Sequence, residues 1–138
     1  LSNCGYSPIY IKKNINNFNV DINEIVGDRL INNLISNKLN RSGDKLSANK
    51  ITLNINTVYK KTINSKDATG AAASYELSVI TKLNVSNNNN NKNFQFDERF
   101  IMDKNENLID EKNYEKTIKQ SFASSIANKI ILELDSFK

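Results

Sequence analysis

Apolar and polar residues alternate along several stretches of this chain and recur at helical spacing along two others. Phe18, Val20 and Ile22 stand two apart and predict a short first strand. The segment DINEIVGDRLINNLISNKLN then spaces Val26, Leu30, Ile31, Leu34, Ile35 and Leu39 by three and four, which predicts an amphipathic helix. Asp21 and Glu24 have capping-box spacing at its start, and Gly43 follows its end.

In KITLNINTVYKKTIN, Ile51, Leu53, Ile55, Tyr59 and Ile63 share one face, while Lys50, Thr52, Asn54, Asn56, Lys60 and Thr62 take the other. This is the pattern of a strand with one wet face. After the turn NSKDATG, the odd positions Ala71, Ala73, Tyr75, Leu77, Val79, Leu83 and Val85 predict a second long strand, hairpinned to the first. The Ala71–Ala73 run reads as a core-packing patch, with a strand edge lying against another chain as the alternative. The NNNNN run at 87–91 predicts a solvated loop, and Phe94, Phe96, Phe100 and Met102 a further strand. From about 111 to 136, Tyr114, Ile118, Phe122, Ile126, Ile130 and Leu134 stand four apart, flanked by Ala123, Ala127 and Ile131, and predict a long terminal helix.

The predicted order is β-α-β-β-β-α, an α+β fold with two helices packed on one face of a four-stranded sheet. The opposite sheet face is polar and free to meet water or a partner. No internal repeat or domain boundary interrupts residues 18–138. Ahead of them, Pro8 and an Asn/Lys-rich stretch without period predict an extended arm.

Composition narrows the chemistry. The 138 residues carry 19 Lys and Arg against 15 Asp and Glu, a net charge of +4 that hints only weakly at an anionic partner. The abundance of Asn, Lys and Ile can reflect an AT-rich coding sequence as readily as a physical demand. With no His and one Cys, these residues form no internal disulfide, no His/Cys zinc site and no nucleophile–His pair. No glycine-rich phosphate loop is present. Asp97 and Glu98, being adjacent, point to opposite faces of their strand and cannot share a substrate, while Asp110 and Glu111 suit the positive end of the last helix. No run is long and apolar enough for a membrane-spanning helix.

Cys4 has no core to enter so far from any periodic segment. Leu1-Ser2-Asn3-Cys4 fits instead the Leu-(Ser/Ala)-small-Cys box of lipoprotein signal cleavage, with Asn3 where Gly, Ala or Ser is usual. The expectation is a signal-peptide remnant at 1–3, a lipidated arm at 4–17, and one domain at 18–138, with diacylglycerol and an N-acyl chain on Cys4.

CGYSPIY resembles the mature start of the LptE family of lipopolysaccharide-assembly lipoproteins, in which Cys-Gly-aromatic-x-Pro-Leu-Tyr recurs and Ile9 here replaces the Leu. The likeness continues through Arg29 and LINNLISNKL, through KDATGAAASYELSV, and into SFASSIANKI. It implies a non-enzymatic outer-membrane lipoprotein without cofactor or metal, seated on the periplasmic side as a plug within the LptD β-barrel, helping that barrel to fold and handing lipopolysaccharide to the outer leaflet. It further implies binding of lipopolysaccharide through basic residues in two loops. Lys60, Lys61, Lys66, Lys104 and Lys112 are the candidates for a cationic end that meets lipid A phosphates, and ordinary solvated charge is the alternative for each. Another periplasmic accessory lipoprotein, a secretin pilotin or a transporter-associated subunit, is the second reading; pilotins are more often helical. A nucleic-acid-binding module needs aromatics on the wet sheet face, and Tyr59, Tyr75 and the Phe94–Phe100 set fall on apolar faces.

Overall fold

The computed structural model describes residues 17–137. Its elements follow the order β1 (Asn19–Gly27), α1 (Arg29–Ser42), β2 (Lys50–Lys66), β3 (Ala72–Ser86), β4 (Asn91–Asp103) and α2 (Leu108–Asp135). The sheet order is β1-β2-β3-β4, with β1 parallel to β2 and the other pairs antiparallel. A parallel pair needs a crossover, and α1 supplies it.

The first boundary differs from the sequence expectation. Residues 21–27 form strand, not the first turns of a helix, and Asp21 and Glu24 cap nothing. The register shift between Ile22 and Glu24 is the cause. This bulge lets Ile22 and Ile25, three apart, pair with Leu53 and Ile55 on the same sheet face, which imitates helical spacing. Gly27, at φ 110°, then turns the chain. A Cβ there would lie 1.8 Å from the Thr57 carbonyl oxygen, so the close approach of β1 to β2 requires glycine. Asp28 is the true N-cap, its Oδ1 accepting from the Ile31 N–H at 3.0 Å.

Between sheet and helices lies one core, in which Ile31, Ile35, Leu39, Ile51, Leu53, Leu77, Leu83, Met102, Ile126 and Ile130 are wholly shielded. Thr57 and Thr81 sit opposite each other inside it and satisfy each other's hydroxyl at 3.2 Å. α1 ends at Gly43 as expected. α2 begins three residues earlier than the apolar spacing suggests, at Leu108 behind the N-cap Asn107, with Asp110 and Glu111 in its first turn. Tyr114, placed by spacing on the buried stripe, is 48% exposed, and Ala71 is exposed while Ala72 and Ala73 are only half-buried, so the alanines are not core.

Among the described residues no helix covers the other face of the sheet. An asparagine ladder crosses it from edge to edge: Asn23 donates to Asn54 (2.9 Å), Asn54 to Asn84 (3.3 Å), and Asn84 to both Asn91 (2.8 Å) and Asn93 (2.9 Å). Val58 and Ile80, directly paired and both exposed, add an apolar spot.

Candidate functional site at the long hairpin

β1 pairs with β2 only as far as Thr57, whereas β2 and β3 continue to Lys66 and Ala72. The long hairpin therefore outruns the first strand. Seventeen residues of β2, at roughly 3.3 Å each, separate this tip from the end where Asn17 enters the fold by about 50 Å.

Its turn is built by Asp67, whose Oδ1 accepts from the Thr69 hydroxyl (2.6 Å), the Thr69 N–H (2.8 Å) and the Ala71 N–H (3.1 Å). These bonds, the Thr69 hydroxyl first, hold the Asp67 carboxyl below its ordinary pKa, and the charge of Lys104 adds to the effect. The β4–α2 connection lies alongside: the Lys104 N–H donates to the Ala73 carbonyl at 3.0 Å, and the Asn105 N–H to Glu111 Oε1 at 2.8 Å. Two loops 30 or more residues apart in sequence thus form one surface.

Of the candidate lysines, Lys66, Lys104 and Lys112 come together at this tip and make no ion pair among the described residues. Lys60 projects from the uncovered sheet face in the row of Ser78 and Arg99. Lys61 lies on the helix-facing side, where its ammonium meets Glu115 at 3.0 Å and Glu111 at 3.8 Å and sits 4.5 Å above the Tyr75 ring. Its charge is neutralised within the fold. The tip also differs from the expected cationic end in that exposed Asp67, Asp103, Glu106 and Asp110 interleave with the lysines.

The sequence reading missed the apolar half of this surface. Leu108 is 68% and Ile109 71% exposed, directly between Lys104 and Lys112, and exposed Ile63, Phe100 and Tyr114 lie on the neighbouring strands and helix, the last two rings packed edge to face at 6.2 Å. The available signal was Asn107, a good N-cap followed at once by two apolar residues that belong to no buried stripe.

Behind the tip, a polar cluster fastens α2 to the sheet. The Tyr59 hydroxyl donates to Glu115 at 2.6 Å, and Lys119 reaches Asp28 at 2.6 Å while lying 4.4 Å over the Tyr59 ring. Glu98, on the helix-facing side, accepts from Ser125 (2.8 Å) and Lys129 (2.6 Å), and Asp97 takes the opposite face, as the alternation predicts. Among the described residues no group of acids could hold a metal ion. Cys4 and the rest of the arm lie outside the described residues.

Two helices on one side of a mixed sheet, with an amphipathic loop surface at one end, define a small two-layer α+β domain. The chain belongs to the LptE lipopolysaccharide-assembly family, whose model matches residues 6–134. Its fold is similar to the crystal structure of rare lipoprotein B from Shewanella oneidensis, with a TM-score of 0.65 at 15% identity over 83% of this chain and 95% of that one. It is also similar to a putative lipoprotein from Caulobacter crescentus (TM-score 0.55, 13% identity, 88% and 89% covered). An uncharacterised lipoprotein B from Nitrosomonas europaea, solved by NMR, gives 0.56 at 11% identity, with 88% and 90% covered. No curated protein sequence matches the chain. Family membership makes this a lipopolysaccharide-assembly lipoprotein of the cell envelope.

Proposed function

We propose that the domain is anchored to the outer membrane through acylated Cys4, seats as a plug within the LptD β-barrel, and binds lipopolysaccharide at the long hairpin for delivery to the outer leaflet. The observation that carries the binding step is that Lys66, Lys104 and Lys112, which form no ion pair among the described residues, stand with exposed Leu108 and Ile109 at one end of the fold. Lipopolysaccharide offers phosphates beside acyl chains, and an ammonium group beside exposed leucine and isoleucine matches both. Lys60 serves a different surface, and Lys61 holds the hairpin against α2.

The barrel role is supported by the uncovered sheet face. Its amide ladder leaves polar groups toward the polar lumen of a large barrel, with Val58 and Ile80 a small apolar spot among them. Placing the ligand-binding tip about 50 Å from the entry of the arm lets an anchored domain work across the depth of the barrel. Co-expression tests the reading. The acylated chain should co-purify with the barrel from outer membranes, and Cys4→Ala should move uncomplexed protein to the soluble fraction. A chain that never associates with the barrel refutes it.

A further inference from the structure

The end of the molecule opposite the tip carries a second feature. Leu46, in the turn between α1 and β2, is 95% exposed, more than any other large apolar residue among those described. It is held there and not loosely displayed. Asp44 Oδ1 accepts from the Leu46 N–H at 2.9 Å, and the Asp44 carbonyl accepts from the Ser47 N–H at 3.1 Å, so the side chain stands at the apex of a closed turn. Lys45 adjoins it, and Arg41 lies in the last turn of α1 just before; both are exposed and neither makes an ion pair among the described residues.

The same turn grips the incoming chain. The Ser47 hydroxyl donates to the Asn17 carbonyl at 2.9 Å, and the Asp44 N–H to the Phe18 carbonyl at 2.8 Å. Asn17 is thirteen residues beyond Cys4 (17 − 4), a length that spans at most about 45 Å. An apolar apex with Lys45 and Arg41 on one side of it, beside the point where Asn17 enters the fold, is suited to the boundary between phosphate headgroups and acyl chains.

We propose that the α1–β2 turn is a membrane-docking loop: Leu46 enters the headgroup–acyl boundary of an anionic phospholipid bilayer while Lys45 and Arg41 meet its phosphates. This rests on the anchored reading for its biological setting, and the turn and its chemistry stand apart from that reading. Docking fixes the anchor end at the bilayer boundary and leaves the hairpin at the far end of the fold.

The test labels Leu46→Cys with an environment-sensitive fluorophore and compares it with the same label at Ser124→Cys on the exposed side of α2, away from both ends. Both are placed first in the acylated chain, where Cys4 is blocked, and then in the Cys4→Ala chain at high lipid concentration. Vesicles of phosphatidylethanolamine and phosphatidylglycerol should raise emission at position 46 several-fold and shift it to the blue in both chains, leaving position 124 unchanged. Lys45→Glu with Arg41→Glu should remove most of that rise, and phosphatidylcholine vesicles should give little of it in the Cys4→Ala chain. Equal response at 46 and 124, or a label at 46 that stays wet on vesicles and dries only when the barrel is added, overturns the proposal. Failure of acylation instead shows as protein that does not float with vesicles, and the Cys4→Ala arm still decides the loop.

Discussion

The Tyr59 hydroxyl donates a 2.6 Å hydrogen bond to Oε2 of Glu115, joining the middle of β2 to α2 across 56 residues of sequence. Burial, then this bond, pushes the phenol well above its ordinary pKa near 10. A raised folded-state pKa stabilises the fold fully below the unfolded value, and that contribution is lost as pH rises beyond it. Tyr59→Phe should therefore cost roughly 1–2 kcal/mol at neutral pH. It should also flatten the decline of stability above pH 10, read as denaturant midpoints across the alkaline range.

Two carboxylates set the acid limb. Burial alone would raise Glu115 and Glu98, but hydrogen bonds outweigh it, from Tyr59 and Lys61 in one case and from Lys129 and Ser125 in the other, and both end below their ordinary value near 4.5. Their contribution is present above that value and disappears as pH falls through the lower folded-state pKa. Glu98→Gln and Glu115→Gln together should lower stability by about 2 kcal/mol at neutral pH and converge on the parent chain in acid. Urea melts at successively lower pH check the convergence.

Gly27→Ala tests the junction that ends β1. The new Cβ would meet the Thr57 carbonyl oxygen, a backbone atom that cannot swing aside, at 1.8 Å and at a φ of 110° that residues with side chains rarely adopt. Strain and clash together should cost roughly 3 kcal/mol. Gly70→Ala is the matched control, since it has φ 90° but open space around it, and should cost clearly less. Thermal melts of the two variants separate the clash from the dihedral.

Strands β2, β3 and β4 and both helices were legible because alternation and helical spacing are local properties, and their apolar faces all turn to one core. The β1–α1 boundary was not, because the bulge at Asn23 put Ile22 and Ile25 in phase by inserting a residue, and only pairing with β2 distinguishes that from a helical turn. Lys61 illustrates a signal passed over: it stands two from Tyr59 and two from Ile63, so strand parity alone puts it on the apolar face beside α2. The apolar part of the tip was hidden for another reason. Asn107 and the two apolar residues after it mark a helix start, but only the fold shows that Leu108 and Ile109 are left uncovered at the end of the molecule that carries the hairpin turn.

The tip surface divides into two halves that can be tested apart. Lys66→Glu with Lys112→Glu should weaken lipopolysaccharide binding several-fold and reduce its sensitivity to salt, because the lost contacts are between exposed charges. Leu108→Ser with Ile109→Ser should also weaken binding of intact lipopolysaccharide, while leaving binding of its deacylated, phosphate-bearing saccharide unchanged. All four side chains are exposed, so each double variant should keep its stability within about 1 kcal/mol. Calorimetric titration with the two ligands at two salt concentrations reads both halves. If neither pair changes affinity for intact lipopolysaccharide, the ligand binds elsewhere on the domain; if only the lysine pair does, phosphate recognition alone accounts for the site.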